Sequence, residues 1–182
     1  MTAVHETRPS ATTTQGPLPT QRENAEHGFV ASATLTDDLQ AVLVDLIELH
    51  LQGKQAHWNV VGRNFRDLHL QLDELVDGAR EFSDAAAERL RALHASVDGR
   101  STTVASTTSL EPFPDGELDT ASVVDLVTAR IDRVVATARE VHDEVDSEDP
   151  TSADLLHDII ARLEQLSWMF SAENRVPGSR RK

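Results

Sequence analysis

The sequence has 182 residues, 39% of them hydrophobic and 26% charged, which fits one soluble domain with a substantial core. It contains no cysteine and no apolar run of about 20 residues, which excludes disulfides, thiolate zinc sites and a transmembrane helix. The formal net charge of −14 is uneven: residues 1–34 carry −1 and residues 173–182 carry +3, which leaves −16 between them. Because such an acidic body attracts cations and repels DNA phosphates, we expect DNA contacts only from the tails.

The N-terminal residues 1–33 are rich in Thr, Pro, Gln and Gly and show no sustained hydrophobic periodicity. This composition predicts a flexible arm. The polar start is unlike a secretory signal peptide, and the absence of cysteine fits a reducing compartment. We therefore expect a cytoplasmic protein.

Four stretches have apolar residues at helical spacing and predict long helices at residues 35–61, 65–94, 120–146 and 150–174. We expect Thr34 or Thr36 to cap the first helix and Asn64 to cap the second. Asp149 followed by Pro150 predicts the start of the fourth helix, because proline is favoured at the first helical position.

The connection at residues 95–119 is long and contains Ser/Thr runs, with room for one short helix near residues 101–108. Four long helices with one long crossover predict an all-α, ferritin-like four-helix bundle. We assign the bundle to residues 34–174 and a basic tail to residues 175–182.

Residue types that bind metal ions concentrate around the first interhelical turn. His57 ends the first helix, and the second helix carries four more such residues: His69, Asp73, Asp84 and Glu88. At about 100° per residue, these four lie on a single stripe of the second helix. A tight antiparallel hairpin would bring His57 beside His69. Mixed nitrogen and oxygen donors suit Fe(II), Mn(II), Co(II) or Zn(II).

The spacing also indicates that one chain cannot complete such a site. Asp73 and Asp84 are 11 residues apart, so a continuous helix separates their backbones by roughly 16 Å. Bonds from iron or zinc to oxygen or nitrogen are only about 2 Å long. If all five residues serve one site, one copy provides His57, His69 and Asp73. A second copy then provides Asp84 and Glu88 across a twofold interface.

The same stretch resembles the Dps family, the ferritin-like DNA-binding proteins from starved cells. The residues that carry the resemblance are His57-Trp58-Asn59-Val60, Gly62, Asn64-Phe65, His69, Asp73, Asp84 and Glu88-Arg89. The match is specific over the first helical hairpin. It covers the remaining helices by pattern only and does not extend to the tails.

The resemblance implies a ferroxidase that oxidises Fe(II) between twofold-related subunits, typically with hydrogen peroxide in preference to oxygen. Two electrons delivered to peroxide yield water instead of hydroxyl radical, and the ferric product is stored inside a hollow dodecamer, which protects DNA from oxidative damage. The five residues above are the implied iron ligands. With two imidazoles and three carboxylates among them, we expect one ion to bind firmly and a second weakly.

Trp58 directly follows the first ligand. The resemblance implies that its indole lies beside the iron and quenches radicals, and no tyrosine is present to share that role. The alternative interpretation is an aromatic residue of the core.

Two other functions remain open at this stage. Residues 175–182 form a basic cluster, and twelve copies on one particle would bind DNA through multivalency. The protein would then be a nucleoid-associated DNA-compacting protein in which iron oxidation is secondary, although the lysine-rich N-terminal arm of some Dps proteins is absent. In the other alternative, the chain is a metal-free helical bundle used only for assembly.

Overall fold

The computed structural model describes residues 28–177, and the chain divides into two compact units at residues 30 and 31. All described helices and strands lie in the second unit. In chain order they are α1 (Ala33–Asn59), β1 (Val60–Val61), α2 (Phe65–Ala92), α3 (Ser101–Thr107), β2 (Leu118–Asp119), α4 (Thr120–Glu148) and α5 (Pro150–Glu173). Residues 1–27 of the predicted arm and residues 178–182 of the predicted basic tail lie outside the described part of the chain.

The predicted four-helix bundle with a long crossover is confirmed, and the crossover carries the short helix α3. Helix α1 packs against α2 and α4, and α5 packs against α4 and α2. Each long helix contributes fully buried aliphatic side chains to one core, for example Leu39, Leu72, Ile131 and Leu156. None of the five described helices combines the length and apolar character that a membrane crossing requires.

Helix α1 begins two residues earlier than predicted, and its cap is Ser32. The Leu35 amide donates to the Ser32 hydroxyl oxygen at 3.0 Å, so the prediction of Thr34 or Thr36 as the cap was wrong. Glu148, 116 residues away, fixes Ser32 by accepting from its amide at 2.8 Å and from its hydroxyl at 2.6 Å. The cap is therefore chosen by a tertiary contact that local spacing does not reveal.

Helix α1 also ends earlier than predicted, because Val60 and Val61 leave the helix to form β1. This strand pairs in parallel with β2, with Val60 opposite Leu118 and Val61 opposite Asp119. The pairing joins the turn after α1 to the start of α4. Gly62 then turns the chain at φ 119°, a backbone conformation that residues with a side chain rarely adopt.

Asn64 precedes α2 as predicted but does not cap it with its side chain. Its backbone is left-handed, at φ 59°, and its carboxamide donates to Glu173 at 3.4 Å. The backbone oxygen of Asn64 still accepts from the Leu68 amide. The expected side-chain cap at Asn64 was therefore wrong: residues whose side chains cap a helix typically have extended backbone angles, and Asn64 is left-handed.

A buried carboxylate holds the crossover against the bundle. Asp45, on α1, is 1% exposed and accepts four hydrogen bonds. They come from the Thr108 hydroxyl at 2.9 Å, the Ser109 amide and hydroxyl at 2.7 and 2.6 Å, and the Thr137 hydroxyl at 2.7 Å. These contacts join the end of α3 to both α1 and α4.

The turn between α4 and α5 has Pro150 at the predicted first helical position. The Asp149 carboxylate accepts from Arg89 at 2.6 Å and from the Ser152 hydroxyl at 2.5 Å. Burial alone would raise the pKa of Asp149, but the hydrogen bonds from Ser152 and Arg89 outweigh it and hold the pKa below its ordinary value. This turn is thus tied to α2 through Arg89.

Candidate metal centre

The α1–α2 hairpin places two histidine rings in direct contact. His57 lies six residues before Arg63 in the turn, and His69 lies six residues after it. In an antiparallel hairpin such positions face each other. The two rings stack with centroids 3.6 Å apart and an interplanar angle of 25°. The sequence-based expectation that the hairpin brings His57 beside His69 is confirmed.

Reciprocal hydrogen bonds fix the orientation of both rings. The Nδ1 atom of His57 lies 3.1 Å from the carbonyl oxygen of His69. In turn, the Nδ1 atom of His69 lies 3.0 Å from the carbonyl oxygen of His57. Because a carbonyl oxygen can only accept, each Nδ1 carries the hydrogen. In the neutral tautomer that these hydrogen bonds select, Nε2 keeps its lone pair, and this is the form of histidine that binds a metal ion.

Asp73 completes a cluster of three potential ligands. It follows His69 by one helical turn, and one ligand atom from each of His57, His69 and Asp73 lies within 4.8 Å of the others. His57 also lies in the last turn of α1, where the carbonyl end of the helix favours a cation. Two imidazoles and one carboxylate suit a first-row divalent ion and leave further coordination positions open.

The structure separates Asp84 and Glu88 from this cluster. Both are exposed farther along α2, and neither joins any group of three possible ligands among residues 28–177. Asp84 lines an open groove of about 540 Å³ together with His50 and Arg80. One chain therefore assembles three of the five predicted ligands, and the other two lie outside that cluster.

Trp58 is 70% exposed in the single chain, so the alternative interpretation as a core residue is wrong. Seven other large hydrophobic side chains are exposed among the described residues. Four of these seven lie on the same hairpin, at Leu51, Val61, Phe65 and Leu70. Together with Trp58 they give the surface around the histidine pair an apolar character, which is typical of an interaction surface.

Comparison with known proteins assigns the chain to a family. A model of the ferritin-like domain matches residues 36–175, which span most of the four long helices. The DNA protection during starvation protein 2 of Deinococcus radiodurans is 34% identical over 168 residues, covering 88% of this chain and 68% of that protein. The chain belongs to the Dps family.

Solved structures of Dps proteins have the same fold. Dps from Microbacterium arborescens, in its high iron form, is 30% identical with a TM-score of 0.75, covering 81% of this chain and 99% of that one. Dps from Mycobacterium smegmatis is 25% identical with a TM-score of 0.79, covering 84% and 96%. The sequence-based recognition of the family and of its ferritin-like fold is confirmed.

Lys54 is a residue of this Dps chain that the sequence analysis did not assign. Its ammonium group donates to the Asp73 carboxylate at 2.5 Å, and the His57 Nδ1 lies 3.3 Å from the same oxygen. The hydrogen bond from Lys54 holds the pKa of Asp73 below its ordinary value, so the carboxylate is ionised at neutral pH. Lys54 precedes His57 by three residues, a spacing that places both on one helix face.

Proposed function

We propose that this Dps protein is a ferroxidase that takes Fe(II) as its substrate and stores the ferric product in a hollow dodecamer. The observation that carries the proposal is the histidine pair, whose rings are locked with their Nε2 lone pairs available and lie beside the ionised Asp73. Preorganised donors of this kind lower the reorganisation needed to bind a divalent ion. The solved structure of Dps from Microbacterium arborescens is described as its high iron form, which supports iron as the bound ion.

The site is proposed to lie between two copies of the chain. The partner would contribute Asp84 and Glu88, which raises the number of carboxylates from one to three and matches the preference of ferric ions for oxygen donors. The exposed apolar side chains around the histidine pair support pairing at this surface. An interface of this type is twofold symmetric, so each pair of chains would hold two equivalent sites.

Hydrogen peroxide is the proposed oxidant. Two Fe(II) ions give one electron each, peroxide takes both electrons with two protons, and the products are two Fe(III) ions and two water molecules. This reaction releases no hydroxyl radical. It is therefore consistent with a role in protecting DNA, the role for which the relatives are named. The exposed indole of Trp58, next to His57, is the proposed electron donor when only one iron is present.

The test is anaerobic loading with Fe(II), followed by titration with peroxide while ferric absorbance is recorded. We expect rapid oxidation at about two irons per peroxide in the wild type, as the electron balance above requires. Asp84→Asn should abolish it, because the partner's carboxylate is lost. The matched control is Asp67→Asn, the same substitution at an exposed position of α2 outside the cluster. Equal loss in both variants, or oxidation no faster than in buffer, would overturn the proposal.

Direct DNA binding through residues 175–182 is the second proposed function. Arg175 is exposed at the end of the bundle, and the relatives are named for DNA protection. Because residues 35–172 carry −16, binding would depend on the tail and fall steeply with salt. Retardation of DNA at low salt that survives removal of residues 175–182 would contradict this assignment.

A further inference from the structure

A second pair of histidines lies between α4 and α5, far along the chain from the pair at the α1–α2 hairpin. The Nε2 atoms of His142 and His157 are 2.7 Å apart, and their ring centroids are 4.7 Å apart with an interplanar angle of 35°. Both rings line a groove of about 320 Å³ whose walls include Arg139, Asp143 and Glu164. None of these residues belongs to the proposed iron site.

The outer nitrogen of each ring faces a carboxylate. His142 Nδ1 lies 3.0 Å from an Asp143 oxygen, and His157 Nδ1 lies 3.7 Å from an Asp154 oxygen. Histidines that bind metal ions commonly donate the second ring nitrogen to a carboxylate, which orients the ring and strengthens the ligand nitrogen. The arrangement brings both Nε2 atoms to one point, with the outer nitrogen of His142 at hydrogen-bond distance from its carboxylate and that of His157 somewhat farther from its own.

We propose that His142 and His157 bind a divalent transition-metal ion of the zinc, cobalt or nickel class between their Nε2 atoms. Bonds of about 2.0–2.1 Å at a tetrahedral angle require the two nitrogens to be roughly 3.3 Å apart. The rings must therefore separate by about half an ångström on binding. The side chains are 24% and 58% exposed, so small rotations meet little resistance from packing.

The donor set distinguishes this site from the iron site. Two imidazoles favour zinc, cobalt or nickel over magnesium or calcium, which prefer oxygen ligands. The charge of Arg139 in the groove is balanced by Glu164, whose oxygen accepts from the guanidinium at 2.5 Å. Asp143 and Asp154 add two negative charges beside the rings. The remaining coordination positions are open to water from the groove.

Binding at this point would join α4 to α5 close to their shared turn. His142 lies seven residues before Asp149, and His157 lies seven residues after Pro150. A ligand that binds the folded state but not the unfolded state raises the thermal midpoint. The site is complete within one chain, in contrast to the iron site proposed above.

Equilibrium dialysis of the full-length, assembled protein against Zn(II) tests this assignment. We compare the wild type with His142→Gln, His157→Gln, the double variant and His57→Gln. Each of the two single variants should lose the same one zinc per chain, and the double variant should lose no more. His57→Gln should retain that zinc, because it alters only the other histidine pair.

A thermal midpoint provides the second readout. Zinc should raise the midpoint of the wild type and of His57→Gln by more than that of His142→Gln, which can bind zinc only at the His57 cluster. Unchanged zinc stoichiometry in His142→Gln, or loss in only one of the two single variants, would overturn the proposal. Iron oxidation should be normal in His142→Gln, so failure here is distinguishable from failure of the ferroxidase proposal.

Discussion

Two inactive variants should restore each other if the iron site is shared between chains. Asp73→Asn removes a carboxylate from the histidine cluster, and Asp84→Asn removes one from the surface proposed to face the partner's cluster. In a homodimer of either variant, both sites lack one carboxylate and are inactive. In a mixed dimer, one site combines both defects and the other contains neither.

The size of the recovery follows from counting. With random assembly of equal amounts, about half of the twofold pairs are mixed, and one of the two sites in each is intact, so about a quarter of all sites are active. The assay is peroxide-driven Fe(II) oxidation after the two variants are dissociated and reassembled together. The control is a mixture of the two variants assembled separately. Activity of the co-assembled sample no higher than that of the control would refute a shared site.

Three further predictions concern single contacts. Asp45→Ala should lower the free energy of unfolding by about 3–5 kcal/mol in urea, because four buried hydrogen bonds to the carboxylate are lost; a loss below about 1 kcal/mol would contradict the anchoring of the crossover. Lys54→Met should tighten Co(II) binding at the His57 cluster, because the ammonium group no longer competes for the Asp73 oxygen; weaker binding would mean that Lys54 orients Asp73 for the metal. Arg89→Met should be less stable than the wild type at pH 6. Because the pKa of Asp149 is lowered in the folded state, its ionised carboxylate stabilises the fold at pH values above the unfolded-state pKa near 3.8. That stabilisation is lost as the pH falls through the pKa of Asp149 in the folded state. The difference in thermal midpoint should therefore shrink below about pH 4, and a difference independent of pH would contradict it.

Much of the fold and the centre of the candidate site could be predicted from the sequence. The long helices follow from apolar periodicity, and the contact between His57 and His69 follows from their equal distance from the turn at Arg63. The pairing of β1 with β2 could not be predicted, since two residues per strand leave no periodic signal. The Ser32 cap depends on Glu148, and no local rule identifies a partner so distant in sequence.

The second histidine pair carried the same signal as the first and was overlooked. His142 and His157 are placed symmetrically about the turn between the third and fourth predicted long helices, which the sequence located correctly at Asp149 and Pro150. Their equal distance from this turn is therefore the sequence signal that could have predicted their contact. The two pairs differ in the position of their carboxylates, which only the structure shows. Asp73 lies among the possible ligand atoms of the first pair, whereas Asp143 lies beside the outer nitrogen of His142.

The two proposed sites should respond differently when chains are prevented from pairing. The iron site needs carboxylates from a partner, whereas the His142–His157 site has its donors within one chain. Leu70, next to His69, is 48% exposed and lies on the apolar surface of the hairpin. Leu70→Asp places a charge on that surface, and desolvating an unpaired charge opposes association.

We expect the Leu70→Asp chain to sediment as a smaller species, to lose peroxide-driven iron oxidation and to retain one zinc per chain. Leu70→Gln is the matched control, because it removes the same apolar side chain from the surface without introducing a charge. Retention of iron oxidation by separated chains would show that the histidine cluster suffices without a partner. Loss of the zinc would show that the second site also depends on assembly, which the intrachain geometry of His142 and His157 argues against.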